Sequence, residues 1–188
     1  IWFQWRLKRA IQKDQLDVFW SPDGMFPLGI QTPVLATIHD LNFEHFPQDL
    51  PKWVAWYYKK YFPRFAKATD KIITVSDATK QDIVSSYQIP AEKISVIYNG
   101  VNTKYKPLTV QEKETVQQQL GFQEPYFLFV GSLHPRKNIH RLLQAFQLYA
   151  QTEATYQLVI VGAAMWKDQS FEIESVLAKR IHFKGHIQ

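Results

Sequence analysis

Arg136 and Lys137 stand side by side in the string Gly131-Ser132-Leu133-His134-Pro135-Arg136-Lys137-Asn138. Tyr126–Val130, just before it, is an apolar run of strand length that Gly131 ends; just after it, Ile139, Leu142, Leu143 and Phe146 recur at helical spacing. This pattern predicts a strand, a tight loop and a helix from Asn138 to about residue 151, with both cations where the helix begins. The positive end of a helix dipole disfavours a cation by about 0.3–1 kcal/mol, and a bound anion reverses that sign. Backbone N–H groups, the dipole, a guanidinium fork and an ammonium point charge together suit a phosphate or diphosphate. A solvated basic cap is the alternative reading of the same residues.

His39 and Asp40 follow a second apolar run, Val34–Ile38, and so fall at the carboxyl end of a predicted parallel strand, where open α/β sheets bind ligands. His39 can equally cap the strand and bond only backbone. His39, Asp40, Glu44 and His45 can be read as metal ligands, although their spacing matches no recognised metal motif. Asn99-Gly100 reads as a turn in which both residues tolerate positive φ, with ligand contact by Asn99 secondary. Gly162 permits close backbone approach after a strand, or only ends it.

The elements that must position these residues alternate along the chain. A basic helical segment precedes a short apolar run at 16–20, closed by the turn Ser21-Pro22-Asp23-Gly24. The strand Val34–Ile38 follows. A helix at 51–69 carries Trp53, Trp56, Tyr57, Tyr61 and Phe65 interleaved with Lys52, Lys59, Lys60, Arg64 and Lys67, and Pro63 is expected to kink or split it. Its aromatics read as core with cationic stems reaching water; the sharper alternative is a face for anionic lipid headgroups. A strand at 71–75, a helix capped by Ser76 and ending near Tyr87, and a strand at 94–98 complete the first series. After a polar stretch at 102–109, a helix Val110–Leu120 is closed by Gly121, and alternation resumes with strands at Tyr126–Val130, 156–161 and 180–184 and a helix near 169–177. Such alternation calls for parallel sheets and right-handed crossovers. The expected division is 1–101, a linker with an entry helix at 102–124, and 125–188.

Val-Gly-Ser-Leu-His-Pro-Arg-Lys-Asn before an amphipathic helix resembles the donor-phosphate loop of the family-four (group 1) retaining glycosyltransferases of GT-B fold. Thr37-Ile38-His39-Asp40-Leu41, Ile73-Thr74-Val75-Ser76 and Val96-Ile97-Tyr98-Asn99-Gly100-Val101 resemble that family's other landmarks, in the same order. The resemblance implies two Rossmann-like parallel-sheet units joined by a linker, both incomplete: the end of an acceptor-side domain and the beginning of a donor-side domain. It implies that Lys137 binds the diphosphate with Gly131, Ser132 and Arg136, and that His39 is the active-site histidine reaching the donor sugar across a cleft, with Asp40 beside it. Gly185-His186-Ile187 corresponds to the segment that meets the nucleobase. The family often places an Arg after the strand-ending Gly. Ser132 stands there instead and supplies a hydroxyl but no charge, which Arg136 would offset. The family's Gly-rich loop would precede Ile1 and its paired glutamates would follow Gln188, so this stretch by itself is expected to be inactive. The resemblance leans toward mannosyl transfer in polysaccharide assembly, without metal or other cofactor, from a nucleotide sugar to a saccharide or lipid-linked saccharide acceptor.

The 188 residues carry a formal charge of +5 and 46% hydrophobic residues, enough to bury a core and with a lean toward anionic partners. There is no Cys, which excludes disulfide and thiolate chemistry and suits a reducing compartment. No apolar run approaches the ~20 residues that span a bilayer, and the N-terminus lacks a signal-peptide pattern. We expect a cytoplasmic protein with peripheral membrane contact. Beginning at Ile1 and stopping just after a predicted strand, the sequence reads as an internal piece of a longer chain. The alternatives in function are a non-catalytic nucleotide-binding α/β module and a basic nucleic-acid-binding protein; with no concentrated Lys/Arg block, nucleic acid is the last partner expected.

Overall fold

The computed structural model describes residues 2–121, 124–163, 171, 173, 175 and 177–187. The chain divides into two compact units, Ile1–Asn102 and Thr103–Gln188.

In the first unit, a wide helical turn (Trp2–Leu7) runs into α1 (Lys8–Lys13) before β1 (Phe19–Ser21). The sheet then takes β2 (Val34–Ile38), β3 (Lys71–Thr74) and β4 (Ile94–Val96), all parallel and in spatial order β1-β2-β3-β4. Helices α2 (Asn42–His45) and α3 (Lys52–Ala68) connect β2 to β3, and α4 (Asp77–Tyr87) connects β3 to β4. Val34, Ala36, Ile38 and Ile72 in the strands pack with Phe62, Phe65, Ala66 and Ile83 from α3 and α4, and with Phe26 from the β1–β2 connection. Fully burying a side chain the size of Phe65 favours folding by about 1.5–3 kcal/mol.

Helix α3 runs through Pro63 without being split or ended by it. Pro63 and Lys59, whose carbonyl loses its N–H partner, both reach the solvent side, so water can take that bond. Phe62 on one side of the proline and Phe65 and Ala66 on the other clamp the helix to the core. Ser76 caps α4 as expected, its Oγ accepting from Thr79 N at 3.1 Å, and Gln88 at φ 58° closes it.

In this unit three strands differ from expectation. The first strand lies at 19–21 rather than 16–20, leaving Leu16 and Val18 exposed. The third ends at Thr74, one residue early. The fourth ends at Val96, although Ile97 N still donates to Thr74 O at 2.8 Å; Tyr98 instead leaves the sheet and bonds Asp77 on α4. The turn at Asn99-Gly100 is absent: neither residue has positive φ, and the next turn lies at Thr103-Lys104. With Tyr98 tied to Asp77, the backbone has no need to reverse two residues later.

The second unit opens with α5 (Val110–Leu120), which has a capping box: Thr109 Oγ1 accepts from Glu112 N at 3.3 Å while Thr109 N donates to the Glu112 carboxylate at 2.7 Å. Gly121 at φ 86° ends it. Parallel strands β5 (Tyr126–Val130), β6 (Gln157–Val161) and β7 (Ile181–Gly185) form the sheet β5-β6-β7, and α6 (Ile139–Thr152) crosses from β5 to β6. Gln157–Ile160 of β6 are buried, since β6 is paired on both edges and packed against Ile139, Leu143 and Phe146 of α6. No described strand lies beyond β5, whose Leu128 and Val130 are exposed. The helix expected near 169–177 lies largely outside the described residues.

Candidate functional site

Two groups of residues singled out from the sequence sit at carboxyl ends of parallel strands, one in each unit. In the first, His39 follows β2 directly and is exposed. Its Nε2 lies 3.0 Å from Pro22 O, a carbonyl that can only accept, so Nε2 carries a proton and donates. Pro22 can reach it because the 22–24 turn folds over the strand end. Gly24, at φ 75°, lies so close that a Cβ there would meet Ile38 Cγ1 at 3.2 Å and Thr37 O at 3.3 Å. The His39 carbonyl accepts from the buried Thr79 hydroxyl at 3.0 Å, which ties the strand end to the start of α4.

Asp40 turns the other way, its Oδ1 accepting from Asn42 N at 3.0 Å and starting α2. The metal reading of His39, Asp40, Glu44 and His45 finds no support in the geometry. Glu44 accepts from Tyr87 OH at 2.9 Å, His45 Nε2 faces the Asp82 carboxylate at 2.8 Å, and His39 faces Pro22. Among the described residues no three His, Cys, Asp or Glu side chains converge as metal ligands would. Burial, with the Glu44 hydrogen bond second, pushes the Tyr87 phenol well above its ordinary value, marking it as a fixed structural donor. Tyr98 is also raised, first by its hydrogen bond to Asp77.

In the second unit the carboxyl ends of all three strands are laced together. Gly131 N donates to Val161 O at 2.9 Å, Leu133 N to Ala163 O at 3.0 Å and Gly162 N to Gly185 O at 2.8 Å. Gly162 admits no side chain, because a Cβ there would lie 1.8 Å from Gly131 O. Its close-approach reading therefore applies, and the neighbour it meets is the first residue of the cationic loop.

The loop differs from expectation at its end. Pro135–Lys137 is a separate single turn of 3₁₀ helix, Asn138 takes the left-handed conformation at φ 54°, and α6 begins only at Ile139. Arg136 and Lys137 are therefore not in the first turn of α6; His140 and Arg141 are. The 3₁₀ turn arises because Pro135 fixes φ and His134 caps it: His134 Nδ1 accepts from Arg136 N at 3.2 Å and His134 O from Lys137 N at 2.8 Å. With Asn138 N bonded to Pro135 O at 2.9 Å, the amides of residues 136, 137 and 138 are committed and hold the turn's shape. The first amides of α6, at Ile139, His140 and Arg141, have no partner within the helix, no side chain caps them, and no acid stands in the first turn. Both Arg136 and Lys137 are exposed beside this electropositive start, and Ser132 is half-buried at the head of the loop.

The remaining expected residues are less engaged. Asn99 and His186 are exposed, the latter just after Gly185 at the end of β7. Sequence reading missed His134, Thr79, Pro22 and the Tyr98–Asp77 pair. Only the Ser76-x-x-Thr79 spacing of a helix cap gave a local signal; the others act across 17 and 21 residues or through a ring nitrogen's choice of partner.

Residues 1–105 match the family model described as Glycosyltransferase Family 4, and residues 110–188 match that described as Glycosyl transferases group 1. The chain is 31% identical to O-antigen chain mannosyltransferase B of Escherichia coli over 154 residues, covering 80% of this chain and 40% of that protein. It is 34% identical to O-antigen chain mannosyltransferase RfbU of Salmonella typhimurium over 125 residues, covering 66% and 31%. The chain thus spans less than half the length of either relative. In fold it is similar to Anabaena Alr3699/HepE, solved in complex with UDP-glucose, with a TM-score of 0.73 at 19% identity over 97% of this chain and 52% of that one.

Proposed function

From the premise that the chain belongs to glycosyltransferase family 4, the group 1 glycosyl transferases, we propose that the protein transfers a hexose, mannose in the first instance, from a nucleoside-diphospho-sugar to a hydroxyl of a saccharide or lipid-linked saccharide, with retention. The observation that carries this reading is the 131–138 loop, where two exposed cations stand beside the uncapped start of α6. The UDP-glucose bound by the Anabaena neighbour supports a nucleotide-sugar donor, and the mannosyltransferase relatives support the sugar.

As the bond from the anomeric carbon to the diphosphate breaks, negative charge collects on the leaving oxygen and positive charge on the sugar. Lys137 and Arg136 neutralise the diphosphate, with Arg136 supplying the charge that Ser132 does not. The free amides of α6 and the Ser132 hydroxyl add hydrogen bonds. His39, with Nε2–H engaged by Pro22 O, offers Nδ1 to a sugar hydroxyl. Asp40 acts behind it by shaping the turn into α2. Asn99, Gly162 and His186 are secondary: Gly162 places the loop, and His186 follows β7 where a nucleobase would lie. The acceptor hydroxyl attacks from the face the diphosphate leaves and passes its proton to the departing diphosphate oxygen, so the anomeric configuration is kept. No metal or other cofactor takes part, the cations doing the work of a Lewis acid. The protein works in the cytoplasm at the inner face of a membrane; no described helix is long and apolar enough to cross one.

Lys137→Ala in the intact protein tests this. Loss of one preorganised charge on the leaving group is expected to lower kcat by about 10²–10³-fold. Unchanged kcat refutes the role of Lys137.

A further inference from the structure

His39 stands one residue past the ladder of its own strand. The pairing of β2 with β1 stops at Ala36 and with β3 at Ile38, so the His39 carbonyl lies beyond both. The hydroxyl of Thr79, on the first turn of α4 and only 7% exposed, donates to that carbonyl at 3.0 Å. The proton order follows. A carbonyl only accepts, so the single hydroxyl proton of Thr79 goes to His39 O. Ser76 Oγ, 2.9 Å from Thr79 Oγ1, must then donate to it, while accepting from Thr79 N at 3.1 Å. Ser76 O–H, Thr79 O–H and His39 C=O form one directed chain in which each bond polarises the next.

Helix α4 does not need the last link of this chain. Ser76 caps it, Gln88 closes it, and Ile83 and Tyr87 anchor it in the core, all without the Thr79 hydroxyl. His39 does need it. Pro22 O holds the exposed ring where water competes for the bond, whereas Thr79 holds the backbone where water does not. We propose that Thr79 is the positioning residue of His39: it fixes the backbone from which the ring projects, and so the place where the ring meets the donor sugar. The inference rests on the role just proposed for His39 and adds the group that holds it there. Thr79 acts through His39 and not on the sugar itself.

Three substitutions at Thr79 in the intact protein test this. Thr79→Val keeps the volume and the backbone bond to Ser76 Oγ but has no hydroxyl; Thr79→Ser keeps the hydroxyl and loses only a methyl. Thr79→Val is expected to lower kcat about 10–100-fold, the scale of a displacement of about 1 Å in a catalytic group. Affinity for nucleoside diphosphate, read by calorimetry, should not change, because the diphosphate is held at the 131–138 loop. Thr79→Ser should restore most of the turnover, and Thr79→Cys, a weaker donor, should fall between the two and serves where the Val variant does not fold. Ser76→Ala removes the cap of α4 but leaves Thr79 its proton, so it should lower kcat less than Thr79→Val does. The imidazole ¹⁵N spectrum of His39 in mildly alkaline buffer, identified by its loss in His39→Gln, reads the tie without turnover. One tautomer, protonated at Nε2, is expected in the unmodified protein and a mixture in Thr79→Val. Undiminished kcat in Thr79→Val, an equal loss in Thr79→Ser, a larger loss in Ser76→Ala, or a His39 spectrum that ignores the Val change overturns the proposal. If the unmodified protein transfers no sugar while Thr79→Val still mixes the tautomers, the glycosyltransferase reading fails and the hold of Thr79 on His39 stands. Transfer that survives Thr79→Val removes the positioning role alone.

Discussion

Gly162→Ala should damage this protein far more than the loss of one hydrogen atom suggests. The added Cβ would stand 1.8 Å from Gly131 O and 2.7 Å from Gly131 C, both backbone atoms that no side-chain rotation can move. Reaching an ordinary carbon–oxygen separation of ~3.4 Å requires the ends of β5 and β6 to part by about 1.5 Å. That opening breaks Gly131 N to Val161 O and Leu133 N to Ala163 O, now 2.9 and 3.0 Å, at about 1 kcal/mol each. Holding Ala at φ 144° adds about 1–3 kcal/mol. The expected loss is about 3–5 kcal/mol, in the range of the most harmful single substitutions. Urea unfolding followed by circular dichroism should show the midpoint falling by about 2 M for a slope near 2 kcal/mol/M. Gly100→Ala is the control: a Cβ there meets nothing within 4 Å and φ is not positive, so the midpoint should not move. A loss below about 1 kcal/mol at Gly162 refutes the claim that backbone contact with Gly162 places the cationic loop.

Two further perturbations probe the second unit. Arg180 donates from Nε and Nη2 to Tyr156 O at 3.1 and 2.7 Å and from Nη2 to Glu153 O at 2.8 Å, with its guanidinium 5.4 Å from the Phe146 ring centroid. Arg180→Lys, which keeps the charge but not the fork, should cost about 2 kcal/mol in the same unfolding measurement, and an unaltered midpoint contradicts this. Glu112 should titrate by NMR below the ordinary glutamate value, because the Thr109 backbone N–H binds its carboxylate. Folding lowers this pKa, so the unfolded chain holds the proton more tightly and stability rises with pH through the window. The capping contribution is complete above ~4.3 and is lost as pH falls through the lowered value; a midpoint at or above the ordinary value contradicts it.

Much of the fold was legible because its signals are local. The bounds of Val34–Ile38, Val110–Leu120 and Tyr126–Val130 follow from apolar runs and glycine stops that act within a few residues. That Pro63 does not split α3 depends on which side of the helix meets solvent, a tertiary fact. The shorter β4 and the missing turn at Asn99-Gly100 come from one contact, Tyr98 to Asp77, that spans 21 residues. At the candidate site, residue types pointed to the loop and to His39, but the separation of the cations from α6 depends on His134 accepting a backbone N–H, a choice its sequence position does not reveal. Gly162 was ambiguous for a related reason: only the neighbouring strand shows that its missing Cβ would collide with Gly131.

The most direct test of the proposed chemistry is transfer by the intact protein from a panel of nucleoside-diphospho-hexoses, mannosyl donors included, to a saccharide acceptor, with nucleoside diphosphate release measured alongside the NMR configuration of the new linkage. One diphosphate released per glycosidic bond, with the donor's anomeric configuration in the product, is the expected result. Heat of nucleotide binding without release, or a product of inverted configuration, would contradict it.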